Sequence, residues 1–412
     1  MAGGAVTVTG ASSSVNSISL TNNQTLALAQ QIAAAINTAA GAGTLTAFNI
    51  PGLAPLIPPG NVAEAVIPPT ATSGTFNSPT GVQFLVDAAT VPVTVNGAAN
   101  QTVLAGTGGT TYFGAAGGSS EIVIGGGANL VALGAGSADQ VNTGDGNDTI
   151  YANGSPTIDA GGGANLIFSG GIGTNTTLSL SSSANSTVIG GAGNTTIFGS
   201  SNGNQVFLGS GNSLVIEGVG ADTINVGTGA ATIFGNTGSD LIFGNTGALL
   251  FVAGTGPSTV FGGATSPTLF GSAGSDIIYN SSKAGALYIA GSGNETLNAA
   301  GSKGADTLFA GTGADSIVAG SGSDTIIANT GALTATGGAG NDLFVFLKGH
   351  AGGADFIQNF SSNDLVLLGG YGANGITASV SGGGNTILTL SDNTTITFTG
   401  VSNLNLNQIV KS

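Results

Sequence analysis

Apolar positions along most of this chain come singly and on a fixed beat. In GADTLFAGTGADSIVAGSGSDTIIA, residues 304–328, the apolar centres Leu308, Ile317 and Ile326 each have one neighbour on either side before Gly, Ser, Thr or Asp returns. Runs this short predict three-residue strands joined by tight turns. The same beat recurs from about residue 102 to 346, which makes the segment a repeat array. The one helical pattern lies earlier, in TNNQTLALAQQIAAAINTAA, where Leu28, Ile32, Ala35 and Ile36 share a face and Thr21 or Asn22 can cap the start. Strand-like runs (AVTVT, SISL) precede it, and GVQFLVDA and VPVTVNG follow. Beyond the array, ITASVS, TILTLS and TTITFTG alternate apolar and polar residues around the turns SGGGN and SDNT, which predicts a small meander over 376–400.

Prolines set the expected boundaries. Pro51, Pro55, Pro58, Pro59, Pro68, Pro69, Pro79 and Pro92 all precede residue 100. We therefore expect a leading region over 1–101 with one helix and a Pro-rich segment, the repeats over 102–346, and a β cap over 347–412. Repeat arrays need their open ends covered, so the helix is expected at one end and the meander at the other.

Composition narrows the chemistry. Charged residues make up 6% of the chain, the net charge is -15, and the four cations are Lys283, Lys303, Lys348 and Lys411. So few cations cannot neutralise phosphates, which excludes nucleic acid as a partner. There is no Cys, hence no disulfide or thiolate metal site. No apolar run is long enough to span a membrane as a helix. The start, MAGGAVTVTGASSS, lacks the basic and apolar regions of a signal peptide.

The remaining chemistry lies in the aspartates. Asp306, Asp315 and Asp324 fall nine residues apart, each with Gly two before and an aliphatic residue two after. Further copies end in Asp148 (TGDGNDTIY), Asp222 (GVGADTIN), Asp240 (GNTGSDLIF), Asp276 (GSAGSDIIY) and Asp342 (GGAGNDLFV); Asp139 sits in a copy with one extra residue. Elsewhere Asn129, Asn165, Thr195, Ser213, Ala231, Leu249 and Ser258 take the acid's place. This unit, roughly G-x-G-x-D-x-Φ-x, resembles the RTX family of glycine- and aspartate-rich nonapeptide proteins. The resemblance implies an all-β fold, a parallel β-roll or β-solenoid that binds calcium. The stretch GGAGNDLFVFLKGHAGGADFIQNFSSNDLVLLGG also resembles the end of such arrays in type I-secreted bacterial proteins, a resemblance that implies export directed by a secretion signal in the C-terminal tail, near NLNLNQIVKS.

Two nonapeptides make a coil of about 18 residues, so residues 18 apart stack at about 4.8 Å. Asp306, Asp324 and Asp342 then form one edge column, with Asp315 opposite beside Leu333. Asp222, Asp240, Ser258 and Asp276 share an edge, and Ala231, Leu249 and Pro267 the other. Asp276 and Asp306 lie 30 apart, not a multiple of nine, with Glu295 between them; a bulge exchanging the edges is expected there. The glycines are expected to supply left-handed turns. Stacked carboxylates about 5 Å apart repel by roughly 3 kcal/mol at an effective dielectric near 20. Calcium, which takes six to eight oxygens with loose geometry, would turn that repulsion into attraction. A lone Asp at a Gly turn has the simpler role of bonding its own backbone; a column of three favours the ion. Expected calcium residues are thus Asp148, Asp222, Asp240, Asp276, Asp306, Asp315, Asp324 and Asp342, with dry coils wherever Asn, Ser, Thr, Ala or Leu stands instead.

Enzyme chemistry is not expected. There is no H-E-x-x-H, His350 is the single histidine and reads as a loop residue, no serine elbow can be completed into a triad, and GGIGTN lacks the Lys-Ser/Thr of a phosphate loop. The outward positions, three after each corner, read Tyr151, Asn225, Phe234, Phe243, Val252, Phe261, Phe270, Tyr279, Phe309, Val318, Ile327 and Val345. None is charged, although a soluble surface normally carries Lys or Glu there. Three readings fit: aromatic residues simply favour strands, the leading segment covers one face, or the rows are contacts between copies. The expectation is a secreted, calcium-stabilised structural protein that assembles with itself into a filament, surface layer or biofilm matrix at the cell exterior, with cell-surface polysaccharide as a further candidate partner. An adhesin or ice-binding module is the alternative, which a flat Thr row would favour.

Overall fold

A computed structural model describes residues 3–52, 54–180 and 184–412. The chain is an all-β parallel β-solenoid with coils of about 18 residues, and it divides into two compact units, Met1–Ser213 and Leu214–Ser412. In each, strands mostly of three to five residues alternate between two largely parallel sheets, most pairing with the strand a full coil away.

In the first unit, one sheet stacks 45–49, 62–67, 84–87, 102–105 and 121–124, and continues through 140–143. The ladder thus begins at Leu45, well before the boundary expected near residue 101. The prolines mark no boundary because they lie between strands: Pro51, Pro55, Pro58 and Pro59 fall between 45–49 and 62–67, and the other four also lie outside strands. A proline has no N–H to give a ladder, but a turn does not need it.

The predicted helix, α1, spans Asn23–Gly41, with the Asn22 side chain accepting from Thr25 N. Its buried stripe is Thr25, Ala29, Ile32, Ala33 and Ile36. Leu28 is half-buried and Ala35 exposed, so the face is rotated from the one expected. Nor does α1 close an end. With the antiparallel hairpin of 4–9 and 15–20, it packs on the outward side chains Val66, Val86, Leu104 and Val123 of the first sheet. The helix start is tied down by polar contacts: Asp145 N donates to Thr21 Oγ1 at 2.9 Å, and the Gln24 amide donates to the Asp159 carboxylate.

In the second unit the inward residues are Ile224, Ile242, Val260, Ile278, Leu297 and Ile317 in one sheet and Ile233, Phe251, Leu269, Tyr288, Leu308 and Ile326 in the other, all buried. The three extra residues between Asp276 and Asp306 sit in the turns 280–286 and 299–306, so the strands keep their sheets and the edges do not exchange. The meander is present as antiparallel strands 376–382, 385–390 and 395–398, the last pairing in parallel with 354–358. Strand 409–411, in the tail expected to hold a secretion signal, pairs with 365–369.

Candidate metal centre

Each corner Asp lies at or within a residue of the start of a strand, where the chain enters the sheet. Its Oδ1 accepts the backbone N–H of the corner residue one coil earlier. On one edge of the second unit, Ala286 N donates to Asp306 (2.7 Å), Asp306 N to Asp324 (2.7 Å), Asp324 N to Asp342 (2.9 Å) and Asp342 N to Asp364 (2.9 Å). On the other edge, Asp222 N donates to Asp240, Ser258 N to Asp276, Glu295 N to Asp315 and Leu333 N to Asp355. In the first unit the same bond is made mostly by neutral groups: Thr110 N to Asn129, Asn129 N to Asp148, Asp148 N to Asn165 and Asn165 N to Ser186. Asp148 therefore stands alone between two Asn residues, whereas the expected acids of the second unit stand in columns.

The second carboxylate oxygen separates two classes. Oδ2 of Asp315 and Asp324 accepts from Gly311 N and Gly320 N of its own turn, and Oδ2 of Asp276 accepts from Ser272 N. The Oδ2 atoms of Asp240, Asp306, Asp342 and Asp355 are buried with no partner. A buried ionised oxygen without a partner is costly, so it takes a proton or a cation. Burial accordingly holds Asp276, Asp306 and Asp324 above the usual carboxylate range and pushes Asp148 and Asp342 up to about 6 and Asp355 to about 7. Neighbouring carboxylates add to this at Asp342.

Spacing alone missed four acids. Asp355 and Asp364 close their columns over steps of 22 residues, off the nine-residue clock; the signal that finds them is the aliphatic residue two positions on, Ile357 and Val366. Glu295 occupies the corner between Asp276 and Asp315, with both oxygens buried and unpartnered and its acid pushed up to about 8, first by burial and then by Asp315. Glu217 lies five residues before Asp222, where the copies ending in Asp240, Asp276, Asp306 and Asp342 have glycine.

Glycine recurs here chiefly for closeness. A Cβ on Gly322 would sit 2.0 Å from Gly304 O, and one on Gly340 1.8 Å from Gly322 O. Only the latter of these two has the positive φ expected of the whole set (+149°). The turns nest so tightly that the preceding coil's carbonyl occupies the side chain's place.

The donor set, carboxylate oxygens with a Gly-rich backbone beside them, fits a hard oxygen-seeking cation. The description RTX calcium-binding nonapeptide repeat (four copies) matches residues 133–155, 181–215, 218–248, 250–278, 300–332 and 318–350. The coils over these residues are RTX repeats. Calcium is the cofactor of such repeats, and in this roll it would neutralise the corner carboxylates, the orphaned Oδ2 atoms among them. No curated protein matches the chain. Among solved structures it is similar to the crystal structure of the extracellular lipase LipA from Serratia marcescens, at 16% identity and a TM-score of 0.24, over 53% of this chain and 40% of that one. So loose a superposition carries no argument about this chain.

Proposed function

We propose that this RTX roll is a secreted structural protein, clamped by calcium outside the cell and assembled side by side through its uncharged outer rows. One observation carries the assembly reading. Phe243, Phe261 and Tyr279 stack as one ladder, with centroids 5.2 Å apart at each step and rings within 13° of parallel. Phe261 and Tyr279 are exposed, and the register continues the outer row on the other sheet through Phe234, Val252 and Phe270. Each ring buried in a lateral contact could contribute on the order of 2 kcal/mol before ordering costs. The adjacent outer row reads Thr223, Leu241, Thr259, Ile277, Thr296; its Leu and Ile breaks favour assembly over an ice-binding Thr plane. In this reading the chain is not an enzyme, and export follows the type I route suggested by the RTX resemblance.

The experiment is sedimentation and electron microscopy of the full chain in calcium, beside the Phe243→Lys/Phe261→Lys double variant. Neither side chain fills the core, so the variant should fold and lose association, because lysines would be buried unpaired. Unchanged polymers would move the contact elsewhere. A wild type that stays monomeric at high concentration would sink the assembly reading and favour a binding module.

A further inference from the structure

One corner of the second unit differs from the rest. Glu217, Asp222 and Asp240 are all buried, and one carboxylate oxygen from each lies within 4.8 Å of the others. Both oxygens of Glu217 and Oδ2 of Asp240 have no hydrogen-bond partner. The position of Glu217 explains where it points. At the equivalent place before Asp276 and Asp342 the repeat has Gly271 and Gly337, and a Cβ there would lie 3.3 Å from Asp276 Oδ2 and 2.6 Å from Asp342 Oδ2. That position faces the corner carboxylate. A glutamate there must reach across the turn, and its Oε2 indeed approaches Gly235, 3.3 Å from where that residue's Cβ would be. The strand end holds it in place through Glu217 N donating to Phe234 O at 2.9 Å.

We propose that Glu217, Asp222 and Asp240 form a three-carboxylate site for a hard divalent cation, in which Glu217 supplies a side-chain ligand where the corners of Asp240, Asp276, Asp306 and Asp342 have a bare glycine. The inference rests on the calcium reading of the corners and adds to it a ligand that the nonapeptide pattern does not contain. Three carboxylates this close carry more negative charge than one divalent ion cancels, so the site should hold its ion more tightly than corners with two acids.

Calorimetric calcium titration of the full chain tests this, with Glu217→Gln, Glu217→Gly and Asp324→Ala in parallel and circular dichroism confirming the fold. Glu217→Gln keeps the shape, and Glu217→Gly restores the glycine of those corners. Both should lose one calcium from the total, or weaken the tightest site at least tenfold. Full uptake at unchanged affinity by either variant overturns the proposal. If Asp324→Ala binds as much calcium as the wild type while both Glu217 variants lose an ion, the column reading fails and the Glu217 site stands.

Discussion

At the scale of single residues, each corner aspartate has two separable roles. Oδ1 of Asp324 ties one coil to the previous one, and the charge of the whole group calls for a cation. Asn129 and Asn165 make the tie without the charge. Asp324→Asn should therefore fold like the wild type yet lose calcium, whereas Asp324→Ala should lose both the ion and the tie, costing about 1–3 kcal/mol for the unpaired amide. Denaturant titration with and without calcium separates the two. Unchanged calcium uptake by both variants would remove Asp324 from the site. The pH dependence has a definite sign. The folded-state values of Asp342, about 6, and Asp355, about 7, lie above the unfolded value of 3.8. The folded chain then holds more protons, so in chelator its stability is fullest below about pH 4 as far as these groups go, and falls as pH rises towards 7. Calcium should abolish that fall, and melting curves at pH 5 and 7.5 with and without the ion check it. The columns at 306/324/342 and 222/240/276 were legible because stacking has a period that sequence shares. Glu217 was not, since its part depends on a side chain crossing a turn, which no spacing encodes.

Among the elements, α1 and its hairpin were legible as local patterns but their place was not. Nothing local says whether an amphipathic helix covers an end or a face; here the apolar outward residues Val66, Val86, Leu104 and Val123 decided it. The same sheet carries Glu64, fully buried with both oxygens unpartnered, its acid pushed up to about 8 by burial. The folded chain then holds this proton where the unfolded chain does not, so its contribution to stability is fullest below about pH 4.5 and is lost as pH rises from there to about 8. Glu64→Gln should flatten that fall in melting curves between pH 5 and 8; an unaltered slope would place the titration elsewhere. The C-terminal elements bear on export. A chain ending at Gly369 lacks the meander and strand 409–411, and it should remain in the cell if that segment carries the address. Export equal to the full chain would show that it does not.

For the molecule as a whole, the corner chemistry differs between the two units. The first makes its ties largely with Asn and Ser, the second largely with Asp. Ligand binding stabilises only what binds it, by about 2.7 kcal/mol per site at a hundredfold excess over Kd. Calcium should therefore protect residues 214–412 from hydrogen exchange far more than residues 1–213. Equal protection of both would contradict the division into clamped and dry coils.

The ties at 286/306/324/342 all run one way: each coil offers an amide, and the coil on its C-terminal side supplies the oxygen that receives it. A coil at the N-terminal rim of such a stack leaves a carboxylate that water can hydrate; one at the C-terminal rim leaves a backbone amide waiting for its acceptor. The stack of ties thus has one direction and ends on Asp364, whose own Oδ2 is held by Ser361 N at 2.6 Å. Structure should propagate backwards along the chain, from the part made last to the part made earlier. A chain threading out of a ribosome or a pore would then have its final coils act as the template for those before them, and pulse-labelled exchange should find 342–364 protected before 306–324.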